Sequence, residues 1–433
     1  MTRTIVAASP MYGHVAPMCA IAADLVNRGD DVTFLTGGLF REVVERSGAK
    51  FVALPAEADY DIARLPELHP EYAALEPGPE RMMYEIRNLF VKPVPAQHAA
   101  LQALLAEADG EPVAVLHDSS FIGTTPILLG APGIRPAAVI AIGVTPLTLS
   151  SIDTAPFGPG LPPDNSPEGR ERNRQANLAV QEMFAPVQQY AADVVRGTGA
   201  TQEYSFLLDS VVTAPDLFLQ LSIQELEYPR SDAPSNLRFI GALPDASHSD
   251  EASLPSWWPE VTGAGQVVVV SQGTVANRDL GELIEPTLEA LADLDVLVVA
   301  ALGREAQLAS VPANARVVEF VPFADLLPHT DVLVSNGGYG GVQAALRNGV
   351  PMVLAGQTED KAEVTARTAW TGVAVNLATQ RPTPAEVRKA VEEVLLTPSY
   401  KENATRLSAE YALHDAFADI SSAIREVLAE RDR

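Results

Sequence analysis

The chain has 433 residues, 47% hydrophobic and 20% charged, which is enough apolar surface to offset the entropy of ordering and excludes disorder as the dominant state. Fifty-six Asp and Glu against 30 Lys and Arg give a formal charge of -26, which repels phosphate backbones and anionic lipid head groups and argues against nucleic acid or a membrane surface as partner. The lone Cys19 allows no internal disulfide, and no run reaches the ~18 apolar residues of a membrane helix, so a cytoplasmic setting is expected.

In chain order, Thr4 to Ala8 is a compact apolar run, followed by Ser9-Pro10-Met11-Tyr12-Gly13-His14 and a helical pattern from Pro17 that stops at Gly29. Proline is tolerated in a first helical turn and glycine is favoured just past the last, so both ends are marked. The N-terminus therefore reads as strand and loop, without the apolar core and cleavage site of a signal peptide. Asp31 to Gly37 is the next strand, completing a βαβ unit and implying a parallel sheet covered by helices. Val113 to Leu116 and Ala137 to Ile142 fit later strands of that sheet.

From Glu57 to Phe90 and from Ser151 to Phe206 the pattern is broken by Pro, Gly and charge, with Met82, Met83, Tyr84, Phe90, Phe157, Met183 and Phe184 interleaved. These residues either pack helices over the core or line a pocket for a bulky apolar molecule. Pro229 to Pro259 lacks periodicity and reads as a linker. A second series follows, with strands at Gln266 to Ser271, Asp295 to Ala301, Val317 to Phe320, Asp331 to Ser335 and Pro351 to Ala355. Helices are expected near Leu280 to Leu291, from about Gly341, and from Asp360 to Trp370. Two amphipathic helices, Ser399 to Leu413 and Phe417 to Glu430, close the chain. The expected organisation is α/β with two Rossmann-like doubly wound domains, 1–228 and 260–415, joined by 229–259.

Asn336-Gly337-Gly338-Tyr339-Gly340-Gly341 lies between a strand and a helix. Its glycines let backbone approach a ligand, and the helix start offers free N–H groups and the positive end of a dipole, a natural seat for a diphosphate. A mere tight turn would give the same pattern. Ser271-Gln272-Gly273-Thr274 ends another strand of the same domain, and ligands in open parallel sheets bind beyond the carboxyl ends of strands. His14 lies at the corresponding edge of the first sheet. An imidazole can take a proton from a hydroxyl near neutral pH, and Asp118, just after another strand, is a candidate partner. The alternative is that His14 only packs on its helix. His117 is read as a structural neighbour, and Asp293-Leu294-Asp295, where a helix passes into a strand on the far side of the sheet, as no metal site.

MYGHVAP, SQGT, VVEFVPFADLLPHTDVLVSNGGYGGVQAALRNGVP and GQTEDKAEV, in that order and spacing, resemble the bacterial GT-B glycosyltransferases that decorate macrolides, polyketides and other natural products. The resemblance covers almost the whole chain. It implies an interdomain cleft and a last helix, within 416–433, that crosses back to the first, acceptor-binding domain. It also implies inverting, metal-independent O-glycosyl transfer from a UDP- or dTDP-sugar to a hydroxyl of an apolar macrolide, ansamycin or aromatic polyketide. The nucleotide sugar is a co-substrate, and no cofactor is implied. By the resemblance His14 is the general base and Asp118 its charge-stabilising partner. Ser271, Gly273, Thr274, Asn336, Gly337, Gly338, Gly340 and Gly341 would hold the diphosphate, Phe320, Val321 and Gln343 the nucleoside, and Asp360 and Lys361 the donor sugar. Met82, Tyr84, Phe90, Phe157, Met183 and Phe184 would line the acceptor pocket.

The chain departs from that pattern at four of these positions. Asn336 replaces a histidine, Gly341 a Thr or Ser, Gln343 a glutamate and Lys361 a glutamine. Two other readings remain open: a nucleotide-sugar epimerase on the same fold, and a catalytically silent nucleotide-sugar-binding partner.

Overall fold

A computed structural model describes residues 2–76, 78–244, 254–273 and 277–431. Thr274 and the 245–253 stretch of the expected linker lie outside the described residues.

The first sheet has seven strands, β1 (Arg3–Ala7), β2 (Asp31–Thr36), β3 (Lys50–Ala53), β4 (Val113–Asp118), β5 (Ala138–Gly143), β6 (Leu217–Gln220) and β7 (Leu237–Phe239), in the spatial order β3-β2-β1-β4-β5-β6-β7. Every pairing is parallel. The central strands β1, β4 and β5 are near-continuous apolar runs because helices cover both faces of the sheet. β7 is a correction: the segment read as linker supplies the last strand of this sheet.

The second sheet has six parallel strands, β8 (Val267–Ser271), β9 (Leu297–Ala301), β10 (Ala315–Val318), β11 (Val332–Ser335), β12 (Met352–Leu354) and β13 (Ala374–Asn376), in the order β10-β9-β8-β11-β12-β13. In each sheet the strand order reverses once, between β1 and β4 in the first and between β8 and β11 in the second. At such a reversal the connecting loops part in opposite directions and leave a crevice. The architecture is the expected GT-B arrangement of two doubly wound domains.

Six helices matter for the site: α1 (Tyr12–Asn27), α2 (Pro167–Gly197), α3 (Tyr339–Arg347), α4 (Lys361–Trp370), α5 (Pro398–Tyr411) and α6 (Ala416–Arg431). α1 buries Val15, Met18, Ile21, Ala22 and Leu25, a helical spacing that fixes which face meets the sheet. It starts five residues before Pro17, so His14 stands in its first turn rather than in a loop. The proline is accommodated because only the Gly13 carbonyl loses its helical donor.

α6 returns to the first domain. Ala416, Ile420, Ala423, Ile424 and Val427 are buried in one cluster with Val6, Leu25, Ile140 and Leu219. Arg238, the middle residue of β7, grips Glu426 with both terminal guanidinium nitrogens at 2.6 Å. No described helix is long and apolar enough to cross a membrane.

Candidate functional site

Parallel register sets the first half of the site. Ala7 of β1 pairs with His117 of β4, so the chain leaving β1 and the chain leaving β4 emerge side by side at the crevice. His14 Nδ1 lies 2.6 Å from Asp118 Oδ1. The carboxyl is wholly buried, and its other contacts are two backbone donors, Ser9 N–H to Oδ2 and Ser120 N–H to Oδ1, each at 2.8 Å. With two backbone donors on this carboxyl, Oδ1 faces Nδ1 as an acceptor, and in the tautomer that carries the proton on Nδ1 the Nε2 of a neutral ring keeps a free lone pair.

His117 is the structural neighbour expected. Its Nδ1 donates to the Asp118 carbonyl at 2.9 Å and its Nε2 meets the Thr124 hydroxyl at 3.3 Å, while burial lowers its pKa. Tyr60, missed in the sequence, brings a buried hydroxyl near this carboxylate. Burial first, then the charge of Asp118, raises it well above the ordinary tyrosine value.

The second half lies at the crevice between β8 and β11. Gly338 caps α3, and Tyr339, Gly340 and Gly341 form its first turn. A Cβ at Gly340 or Gly341 would meet no atom within 4 Å, so the side-chain space at this helix start is open, and the first-turn amides have no acceptor within the helix. Gly337 has a φ of +78°, and a Cβ there would stand 2.4 Å from Thr365 Cγ2, so only glycine fits the turn. Gly273, with a φ of +71°, faces open space on the other loop, and its N–H donates to Ser271 Oγ at 3.2 Å. Phe320, beyond the end of β10, is 68% exposed, whereas Val321 is buried.

Two expected nucleotide contacts fail on geometry. Gln343 is buried and its Oε1 accepts from the Tyr411 hydroxyl of α5, so it faces the core and not a ribose. Asn336 donates through Nδ2 to the Gln272 carbonyl at 2.7 Å. That amide ties the β8 and β11 loops together in the interior in place of the expected reach into the crevice. The departure from histidine at this position thus has a structural use.

Asp360 caps α4 and Lys361 begins it. The Lys361 side chain is 4% exposed and pairs with Glu359, whose φ of +58° places a non-glycine residue in the left-handed region. Backbone strain of this kind persists where neighbours over-determine it, as the buried lysine does here. Asp360 keeps some surface, but its carboxyl is enclosed by protein. Burial holds its pKa above the usual carboxylate value, with Lys361 and, more weakly, His14 across the crevice opposing that shift.

Of the residues expected at the acceptor pocket, Phe184 is a correction. It is 2% exposed, packed edge-on to Phe206 at 6.2 Å between ring centroids, and belongs to the core under α2. Tyr84 is likewise engaged, its hydroxyl donating to Glu71 at 2.8 Å and its ring 5.6 Å from that of Tyr72. Met82 and Phe90 are half-buried against the same cluster as Phe184, and Met183 is exposed on α2. Phe157 alone of this set stands at the domain boundary, 5.9 Å from the Arg367 guanidinium. Asp293 pairs with Arg388, and among the described residues no three His, Cys, Asp or Glu side chains are placed to hold a metal ion.

Residues 285–427 match the family model for the C-terminal domain of erythromycin biosynthesis protein CIII-like proteins. Over 437 aligned residues the chain is 49% identical to UDP-glycosyltransferase 2 of Phaeomoniella chlamydospora, covering 99% of this chain and 96% of that one. It is 39% identical to 4'-demethylrebeccamycin synthase of Lentzea aerocolonigenes, covering 96% and 97%. The relatives are thus not confined to bacteria. Among solved structures, the glycosyltransferase of kitacinnamycin superposes with a TM-score of 0.73 over 99% of this chain and all of that one, at 23% identity. The chain belongs to the GT-B family of glycosyltransferases that transfer sugars from nucleotide donors.

Proposed function

We propose that this glycosyltransferase moves a sugar from a UDP- or dTDP-linked donor to a hydroxyl of an apolar natural product, with inversion at the anomeric carbon and His14 as general base. The observation that carries this reading is the 2.6 Å contact between His14 and the buried Asp118, set at the crevice of one sheet. The glycine-rich start of α3 occupies the equivalent crevice of the other.

The acceptor hydroxyl gives its proton to His14 Nε2 as its oxygen bonds to the anomeric carbon. The bond from that carbon to the diphosphate oxygen breaks with its electron pair, giving one displacement and one inversion. Asp118 stabilises the imidazolium that forms, as the carboxylate does in a Ser-His-Asp triad, with the acceptor oxygen in the place of serine. The leaving diphosphate meets the first-turn amides of α3 at Gly340 and Gly341, joined by the Ser271 hydroxyl and Gly273 from the facing loop. Phe320 offers an exposed ring for the base beside the Val321 backbone, and Asp360 would meet the donor sugar, with Lys361 buried beside it and paired with Glu359. The names of the relatives favour UDP as carrier, and one relative is named for making a natural product, 4'-demethylrebeccamycin. A partner that only binds nucleotide sugar would have no use for the intact His14–Asp118 pair.

The test is incubation with UDP-glucose or dTDP-glucose and a panel containing a macrolide, an ansamycin, an aromatic polyketide and quercetin. Products are read by mass spectrometry and their anomeric configuration by NMR coupling. His14→Ala should lower kcat about a thousandfold with UDP affinity nearly intact. A loss below about tenfold would remove His14 as the base, and retained configuration would remove the single displacement.

A further inference from the structure

One turn into α4 from Asp360 and Lys361, Glu363 reaches across the domain boundary. Its Oε1 accepts from the backbone N–H of Gly158 at 2.7 Å and of Gly160 at 2.9 Å, both in the long insertion of the first domain. That loop lies directly on the helix. Gly160 has a φ of +63°, and a Cβ there would stand 2.5 Å from the Ala362 carbonyl oxygen and 3.0 Å from Ala366 Cβ.

A second turn along, Arg367 completes the contact. Its guanidinium pairs with Glu363 Oε2 at 3.2 Å and Glu227 Oε2 at 2.8 Å, and donates to the Leu147 carbonyl at 3.0 Å. Glu227 accepts in turn from Leu147 N–H at 3.1 Å. The side chains of Glu227, Glu363 and Arg367 are only 1–4% exposed. Charges this thoroughly desolvated hold one geometry, because losing any partner leaves a buried charge unmatched.

The network joins two parts of the molecule whose registration matters for transfer. α4 begins at the candidate donor-sugar residues, and the loop it grips carries Phe157. We propose that Glu363 is a positioning residue for the acceptor. By clamping residues 158–160 onto α4, it fixes the Phe157 loop in register with the donor-sugar end of the same helix. The inference rests on the transferase reading above, with Phe157 on the acceptor side and Asp360 and Lys361 on the donor side as the resemblance implies. Its physical basis is that displacement needs the attacking oxygen within about 3–3.5 Å of the anomeric carbon, and a misplacement of about 1 Å lowers the rate about a hundredfold. A loop free to drift from the helix would loosen the acceptor while leaving the nucleotide seat on α3 untouched.

Steady-state kinetics with UDP-glucose and quercetin, or the panel acceptor on which the wild type is most active, combined with hydrogen exchange over residues 151–165, tests the clamp. Glu363→Ala and Gly160→Ala should each raise the acceptor KM about tenfold, leave the donor KM within about twofold, and speed exchange at residues 158–160. Glu363→Gln keeps an oxygen that can accept both N–H groups but turns its amide NH2 toward the Arg367 guanidinium, so its acceptor KM should fall between those of the wild type and Glu363→Ala. Gly160→Ala leaves the charged network whole and carries the test if Glu363→Ala does not fold. A wild-type acceptor KM in either folded variant overturns the clamp, as does a donor KM that rises as much as the acceptor KM. A wild-type enzyme that transfers to no member of the panel would instead overturn the reading beneath it, and this one with it.

Discussion

His14 Nδ1 stands 2.6 Å from Asp118 Oδ1, on a carboxylate whose remaining contacts are the amides of Ser9 and Ser120. Those amides hold the carboxylate in place independently of the histidine. Asp118→Asn removes the charge that stabilises the imidazolium and also turns an amide NH2 toward one of those two N–H donors in a buried site. We expect kcat to fall at least about a hundredfold, with UDP affinity close to wild type and a melting temperature below it. Single-turnover kinetics beside UDP calorimetry check this, and an active Asn variant would detach Asp118 from the chemistry.

Gly341 occupies a helical position where the resemblance implies a hydroxyl, and a Cβ there would meet nothing within 4 Å. Gly341→Ser should therefore fit without strain and add a donor beside the diphosphate. UDP should bind about threefold to tenfold more tightly, the scale of the net contribution of one added hydrogen bond. Gly340→Val is the opposing probe. It places a branched side chain in the same open space and should weaken UDP at least about tenfold, although removing a glycine from a helix favours the fold by roughly 0.5 kcal/mol. Weaker UDP binding together with an unchanged or higher melting temperature is the expected signature, and unaltered affinity in both variants would move the diphosphate elsewhere.

The fold and the two crevices were legible because apolar runs, Gly-rich strand ends and helix stops are local signals. His14 and Asp118 could be paired for the same reason, since each follows a strand at the same edge of one sheet. Gln343 and Asn336 could not be placed, because what decides them lies far along the chain. One helical step determines whether position 343 faces the crevice or Tyr411, and the Gln272 carbonyl that engages Asn336 belongs to another loop. Phe184 failed similarly, as an aromatic on a long helix reads alike whether it meets a ligand or Phe206. The Glu363–Arg367 pair did leave a trace, two opposite charges four residues apart on a helix whose other residues are mostly small. An exposed helix shows the same spacing, and only the burial of Glu227 and Glu363 distinguishes the two cases.

Asp360 connects stability to pH. Its pKa in the folded chain is raised, first by burial, so between the ordinary aspartate value and the folded one the native state binds more protons than the unfolded state. The native state is therefore weakened as pH rises through that window, and the deficit persists at neutral pH. Asp360→Asn removes it. The variant should melt above the wild type at pH 7, with the difference shrinking as pH falls below the ordinary aspartate range, while its donor KM rises or its kcat falls. Calorimetric melting across pH measures the first effect. An Asn variant less stable than wild type at pH 7 would show that Lys361 outweighs burial.

α6 binds the first domain by two unequal means. Ile424 is 2% exposed within the core cluster that includes Ile140 and Leu219, so truncating it both exposes apolar surface and leaves a cavity. Ile424→Ala should lower stability by about 2–4 kcal/mol. The Arg238–Glu426 pair has good two-pronged geometry, but both side chains are more than 40% exposed, and water and salt screen it. Glu426→Ala should therefore lower stability by less than about 1 kcal/mol, and by less still in high salt. Denaturant melts of the two variants at low and high ionic strength separate these contributions. If Glu426→Ala proves the more damaging, the crossing helix is held by its charges, and the apolar face of Ile420, Ile424 and Val427 is secondary.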